Sequence, residues 1–243
     1  MALPKINYPT FLIEDPSEKK KYTFRPMLVK DEKLLLMAKS SEDSTDILTS
    51  IKQVVNNCAL DESFNVDKLP LYSLQYMFIR LRSHSIGEQI KVSYKDYEDE
   101  KIYDFNIDLN NITIKMPENA LDNKIFIEPT SGIVLKYPSA DIYDDKEFLK
   151  TTAEESFYKL IVRCIDQVFD ATNAYDGKEF KEEDLLEFIE MIDIKTFEKI
   201  KEFISNLPSL YYKIEYKNSL NNLKTIELTT LSDFFTLRWA TIL

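Results

Sequence analysis

Glycine is almost absent from this chain: only three of its 243 residues are glycine. Glycine is the residue that adopts positive φ angles and permits close backbone approach, so the chain has almost no flexible linker. It also has no glycine-rich loop of the Walker or Rossmann type to hold a phosphate. With 15 Phe and 14 Tyr residues it has ample apolar area for a core, and its length suits one large domain or two small ones.

The chain is acidic, with a formal charge of −11 at pH 7 and an isoelectric point near 4.8. A protein that neutralises nucleic-acid phosphates needs a basic face, so the charge argues against a nucleic-acid partner. Local basic runs occur at Lys19–Lys21 and at Arg80 with Arg82. Runs of this kind are most often solvated surface.

The cysteine and hydropathy patterns indicate a protein of the reducing cytoplasm. Cys58 and Cys164 lie in apolar stretches predicted to be helical, which favours buried free thiols over a disulfide. The N-terminus has no apolar signal core, and no run approaches 18 apolar residues. We therefore expect no membrane partner.

The first ninety residues predict a β-hairpin followed by helices. Two extended runs, 8–14 and 21–29, are separated by the turn sequence Asp15-Pro16-Ser17-Glu18. Apolar residues then recur at the helical period in three segments. These segments are 30–39, 44–58 and a helix that begins after Pro70 and closes near Gly87.

The middle of the chain changes to the alternating pattern of β-strands. The runs are 89–94, 101–109, 112–116, 124–127 and 132–137. Together they predict one small antiparallel β module. A change back to helical patterning places the best candidate boundary near residues 138–146.

The C-terminal half is predicted to be mainly helical. The longest amphipathic stripe runs from Phe157 to Phe169, and further helices are predicted at 181–191, 194–206 and 232–243, with a hairpin over 211–228. The predicted fold class is therefore α+β. Its parts are an N-terminal hairpin with helices (1–90), a central antiparallel β module (91–140) and a mainly helical domain with a short hairpin (141–243).

The sequence offers little for catalysis or metal binding. It has one histidine, His84, and its two cysteines are 106 positions apart, so no zinc ligand set is expected. The acidic helix over 182–190 has no partner base or oxyanion donor in its pattern, and no nucleophile elbow occurs. We predict a non-enzymatic protein without cofactor or metal.

The C-terminal aromatic residues leave two interpretations open. Phe234, Phe235 and Trp239 belong to an apolar segment at the chain end. Such a segment either docks on its own domain or binds another protein. The stripe from Phe157 to Phe169 is interpreted as core.

Three blocks of the N-terminal half carry a family resemblance. They are YTFRPMLVKDEKLLLMA at 22–38, IKQVVNNC at 51–58, and LPLYSLQYMFIRLRS at 69–83 continuing through SIGE at 85–88. Each block can also be explained by local structure alone, because Arg25-Pro26 ends a strand and Pro70 starts a helix. In this order and spacing they resemble the T4-type bacteriophage baseplate hub assembly family (T4 bacteriophage base plate protein). The resemblance is close over residues 5–90 and loose over the β module.

The resemblance implies an assembly factor or structural subunit of the central baseplate hub of a contractile phage tail. The implied partners are other hub or tail proteins, and the implied location is the host cytoplasm during assembly or the finished baseplate. Relatives are expected to carry a cysteine pair in the turn occupied here by Tyr94-Lys95-Asp96-Tyr97. Without it, this hairpin is expected to hold by packing alone.

We place a hypothetical docking surface on the hairpin edge and the block Leu69–Gly87. Its candidate protein-binding residues, with the C-terminal aromatics, are Arg25, Arg80, Arg82, Phe234, Phe235 and Trp239. The alternative is a host-directed or regulatory binding module that is not part of the tail. The sequence leaves the oligomeric state open.

Overall fold

Helices and strands are short and occur in groups along the chain. The computed structural model describes residues 7–40, 44–117, 123–145, 148 and 151–234. These residues form six α-helices and eleven β-strands in small antiparallel sheets. The fold is therefore mixed, as the α+β prediction required, although the arrangement of the strands differs from it.

The N-terminal elements follow the predicted order. They are strands β1 (Phe11–Glu14) and β2 (Lys21–Phe24) and helices α1 (Val29–Ser40), α2 (Ser44–Cys58) and α3 (Leu71–Ile86). The predicted second strand is too long. Strand β2 ends at Phe24, which bridges to Ala59, and the next amide, that of Arg25, donates to the Cys58 carbonyl at 2.9 Å. The end of the hairpin is thus attached to the end of α2.

A buried ion pair joins the hairpin to the first two helices. The Asp31 side chain is fully buried, and its Oδ2 accepts hydrogen bonds from Arg25 Nη1 at 2.6 Å and Leu28 N at 2.9 Å. Arg25 Nη2 donates to the Asn57 carbonyl at 2.9 Å, in the last turn of α2. Burial raises the pKa of Asp31, but the bonds from Arg25 and Leu28 outweigh it and hold the pKa below its ordinary value.

The central strands do not form the single module predicted for them. Strands β3 (Gln89–Lys95) and β4 (Ile102–Asp108) pair only with each other, whereas β5 (Thr113–Lys115) joins β10 (Ser209–Lys217) and β11 (Leu223–Leu228). Strands β6 (Lys124–Glu128) and β7 (Ser131–Leu135) continue into β8 (Ile165–Phe169) and β9 (Ala174–Asp176). Hydropathy alternation identifies strands, but it does not identify partners that lie far away in the sequence.

The long helix predicted over residues 157–169 is also wrong. Helix α4 (Ala153–Arg163) ends at Cys164, and the same apolar stripe continues as strand β8. The Cys164 carbonyl accepts from Lys136 N at 2.7 Å, and Leu135 pairs with Ile165, so strand β7 captures these residues. Helices α5 (Glu182–Glu190) and α6 (Ile194–Ser205) confirm the two predicted next. The C-terminal helix predicted from residue 232 lies largely outside the described residues, which end in a 3-10 turn at Leu231–Phe234.

Contacts divide the chain into two compact units. The larger unit comprises Met1–Lys115 and Ser209–Leu243, and the inserted unit comprises Met116–Pro208. The inserted unit has its own apolar core, in which β6, β7 and β8 pack with all three helices. Its fully buried members include Ile133, Ile161, Cys164 and Ile200. The division predicted from the sequence, into units 1–90, 91–140 and 141–243, stays a prediction.

Removal of one partner of the Arg25–Asp31 pair should destabilise the larger unit strongly. Arg25→Ala leaves a buried, unpaired carboxylate, which costs about 3 kcal/mol or more, whereas a shape-matched Arg25→Met/Asp31→Leu double variant should recover much of this loss. The control is Glu14→Ala, since the Glu14–Lys21 pair is exposed and its loss should cost less than about 1 kcal/mol. Urea unfolding measures all three. Equal effects of Arg25→Ala and Glu14→Ala would contradict the structural role.

The glycine at position 132 is required by close packing in the four-stranded sheet. A Cβ there would overlap the Ile125 carbonyl and lie 2.8 Å from Phe169 Cζ. We expect Gly132→Ala to lower the free energy of unfolding of the inserted unit by about 3 kcal/mol, because a paired strand cannot move away without losing its ladder. Ser131→Ala, next to it, should change stability by less than about 0.5 kcal/mol. Thermal unfolding of both variants tests this, and a stable Gly132→Ala protein would contradict it.

Candidate protein-binding surface

The structure separates the residues that the sequence grouped as binding candidates. Arg25 is held in the ion pair with Asp31, and Phe234 is only 3% exposed in the 3-10 turn. Phe235 and Trp239 lie outside the described residues. Their binding role, and that of Arg25, stays a prediction.

Helix α3 is mostly a core helix. Arg80 Nη1 donates to Asn110 Oδ1 at 2.8 Å, while Arg82 Nη1 approaches the Gly87 carbonyl at 3.4 Å and burial lowers its pKa. Residues two apart on a helix point to opposite sides, so the two arginines do not form one basic face. The buried residues of the helix are Tyr72, Ser73, Leu74, Met77, Phe78, Ile79, Leu81 and Ser83. Few positions of the block Leu69–Gly87 are therefore open to a partner.

Two hairpin tips in the larger unit are joined by polar contacts between residues about 120 positions apart. The β3–β4 turn supplies carboxylates, and the β10–β11 turn supplies most of the donors. Tyr216 Oη donates to Asp96 Oδ2 at 2.7 Å, and the Ser219 amide and hydroxyl donate to Asp99 Oδ2 at 2.9 and 2.8 Å. Around Glu98 the donors are Asn218 Nδ2 at 2.9 Å, Asn222 Nδ2 at 2.7 Å and Lys224 Nζ.

These bonds keep the carboxylates of the β3–β4 turn ionised. The Glu98 amide and the Tyr216 hydroxyl lower the pKa of Asp96, and the bond from Lys224 lowers that of Glu98. Desolvation opposes ionisation of Asp99, but hydrogen bonds from Tyr103 and Ser219 outweigh it and lower its pKa well below the ordinary range. The expectation that this hairpin holds by packing alone is therefore wrong. Charged hydrogen bonds to a second hairpin hold the turn that has no cysteine pair.

The inserted unit has an apolar cleft of about 620 Å³ between helices α4, α5 and α6. Tyr158 of α4 and Phe197 of α6 stack on one side, with ring centroids 5.7 Å apart and an interplanar angle of 10°. Leu186 and Ile189 of α5 contribute to the base. The described residues that line the cleft belong to α4, α5, α6 and the short α5–α6 connection.

Two large side chains that line this cleft, Tyr158 and Ile194, are exposed to solvent. Ile194, at the start of α6, lines the cleft and is 81% exposed, and Met191 in the α5–α6 connection is 79% exposed. Isolated exposed apolar residues are normal, but an apolar cleft with exposed apolar residues at its mouth is typical of an interaction site. Sequence reasoning missed it. The available signal was three apolar residues in four positions, Met191-Ile192-Asp193-Ile194, in a connection between two helices.

The cleft is rimmed by charge that the described residues do not neutralise. Glu155 and Glu190 line it, and neither has an ion-pair partner among the described residues. Lys159 is the one cation among the described residues that line the cleft. The whole inserted unit is acidic. It carries 21 of the 42 acidic and 11 of the 31 basic residues, a formal charge of −10 out of −11 for the chain.

Both cysteines are buried, and the single histidine stacks on an aromatic ring. Burial raises the pKa of both the Cys58 and Cys164 thiols to about 12, so both are protonated at neutral pH. His84 stacks on Phe11 at 4.3 Å between ring centroids. Within the described ranges, no three His, Cys, Asp or Glu side chains are grouped to hold a metal ion. No helix in those ranges combines the length and apolar character needed to cross a membrane.

The family comparison covers both units. The sequence model of a family described as T4 bacteriophage base plate protein matches residues 8–236. The chain belongs to this family. No curated protein and no solved structure matches it. The resemblance in the first ninety residues is confirmed, and the match extends through the inserted unit of the base plate protein, where the cleft lies.

Acid should weaken the junction of the two hairpin tips in the base plate protein. Because the pKa values of Asp96, Glu98 and Asp99 are lower in the folded chain than in the unfolded chain, their contribution to stability is full above about pH 5. It is lost as the pH falls through the lower folded values. We expect the protection of the Ser219 amide against hydrogen exchange to fall over that range.

The variant Asp99→Asn should reduce this protection already at pH 7 and make it less dependent on acid. The matched control is Asp104→Asn on the same hairpin, because Asp104 binds Lys91 and Ser93 of its own hairpin. Unchanged Ser219 protection in Asp99→Asn, or an equal loss in Asp104→Asn, would show that the charged contacts do not hold the tips together.

Proposed function

We propose that this base plate protein acts by binding other proteins of the central baseplate hub, as an assembly factor or as a structural subunit. Family membership supports a role in the phage baseplate. The observation that carries the binding role is the apolar cleft of the inserted unit, whose lining residue Ile194 is 81% exposed. Apolar surface of this kind is stabilised when a partner covers it.

The proposal is a binding function without a catalytic step. Both thiols are protonated at neutral pH, and the stacked Tyr158 and Phe197 rings give the cleft an apolar wall with carboxylates only at its rim. A surface of this composition binds side chains and offers no activated nucleophile or paired base. Family membership supports a location in the tail baseplate. We propose the host cytoplasm as the location during assembly.

Arg80 and Arg82 are not included in the proposed surface, because both guanidinium groups hydrogen-bond within the larger unit. Phe235 and Trp239 remain candidates for a second contact. A partner that binds a chain ending before residue 235 as well as it binds the full chain would remove them from consideration.

Co-expression of the full chain with the hub and tape-measure candidates of the same genome tests the function. We expect affinity purification and mass analysis to recover a stable complex with at least one hub protein. An unrelated acidic protein of similar net charge serves as control bait, because a −11 chain attracts basic proteins without specificity. Recovery of host proteins alone would overturn the hub proposal and favour a host-directed binding module.

Quantitative mass spectrometry of purified phage particles then separates the two hub roles. A stoichiometric amount of the chain in particles identifies a structural subunit, and its absence from particles, with a complex present in infected cells, identifies an assembly factor.

A further inference from the structure

We propose that the cleft between α4, α5 and α6 receives a basic amphipathic helix of a partner protein. This inference rests on the proposed binding function and names the class of segment that the surface accepts. The apolar floor and walls would take the apolar stripe of that helix, and the acidic rim would face its Lys and Arg residues.

The lining of the cleft favours a helix over an extended peptide. Among the described residues, every residue that lines the cleft belongs to a helix or to the α5–α6 connection, and no strand edge contributes. An extended peptide gains affinity mainly through main-chain hydrogen bonds to an open strand edge, which this cleft does not offer. A helix satisfies its own backbone groups and needs only side-chain pockets. A cleft of about 620 Å³ lies in the range of sites that bury a small set of anchor side chains.

The negative charge at the cleft favours a partner helix whose polar face carries Lys and Arg residues. Glu155 and Glu190 lie at the rim without ion-pair partners among the described residues, and Glu187 is exposed one turn before Glu190 on α5. The unit around them has a formal charge of −10. Lys and Arg side chains of a partner are attracted to this negative charge. A second copy of the unit would bring two acidic surfaces together, which repel each other.

Two substitutions in the cleft and two outside it make the inference testable in the full-length protein. Ile194→Lys places a charge at the mouth of the cleft, and its control Tyr97→Lys changes a side chain of nearly equal exposure, 82% against 81%, in the larger unit. Glu190→Lys reverses a rim charge, and its control Glu62→Lys makes the same change at an exposed turn of the larger unit. All four positions are exposed, so the fold should persist.

The first readout is the affinity for synthetic peptides of about 18 residues, long enough to form a helix on binding. The probes are a Leu/Lys peptide with Leu at the helical period, the same pattern with Glu in place of Lys, and a Leu/Lys peptide with the period scrambled. We expect only the first to bind tightly. Ile194→Lys should weaken it about tenfold, and Glu190→Lys about threefold with a smaller salt dependence. The controls should match the unmodified protein. Equal binding of all three peptides, or equal losses in the controls, would overturn the inference.

The second readout is recovery of the co-expressed hub protein by the same variants. Loss of the hub protein in Ile194→Lys and its retention in Tyr97→Lys supports the cleft as the docking site. Retention in both variants overturns the inference and leaves the hub function intact. Failure of the unmodified chain to bind any tail protein overturns the hub function. The peptide titration then still tests whether the cleft binds a basic amphipathic helix. A dimer in light scattering that Ile194→Lys converts to a monomer would assign the cleft to self-association and overturn the inference.

Discussion

The buried carboxylate of Asp31 is the interaction on which the order of the larger unit depends. An ionised group without solvent is stable only if every oxygen is paired, and Arg25 and Leu28 provide this pairing from the segment between β2 and α1. Because Arg25 also binds the Asn57 carbonyl, one charge pair fixes the end of the hairpin, the first turn of α1 and the last turn of α2. This polar contact fixes how the hairpin, α1 and α2 are placed relative to one another, and apolar residues pack around it.

A similar use of charge recurs at the hairpin tips. Asp96, Glu98 and Asp99 accept hydrogen bonds from residues about 120 positions later, so two hairpins far apart in the sequence are joined by carboxylates that stay ionised. These carboxylates and that of Asp31 already accept hydrogen bonds from other residues of the larger unit. The acidic residues of the inserted unit differ, since several of those near the cleft have no such partner among the described residues. Carboxylates without a partner among the described residues are the ones that can pair with basic groups of another molecule.

Local features were predictable from the sequence, and long-range ones were not. The first hairpin, α1 to α3, α5, α6 and the β10–β11 hairpin follow from periodicity and turn residues. The strand over Ile165–Phe169 does not, because its apolar spacing also fits a helix, and only its pairing with β7 decides between them. The cleft was missed for the same reason. Tyr158 lies within a stripe interpreted as core, and the exposure of Met191 and Ile194 is determined by how three helices meet.

The position of the unpaired acids explains how an exposed apolar cleft is compatible with a protein that stays free before it binds. Apolar surface attracts any apolar surface, including that of another copy, and geometry alone does not prevent this. Carboxylates at the rim add repulsion between copies and attraction toward basic partners, so the same residues that oppose self-association determine which helix is accepted. The negative net charge of this chain lies almost entirely on the inserted unit, which also carries the exposed apolar cleft, while the larger unit is nearly neutral.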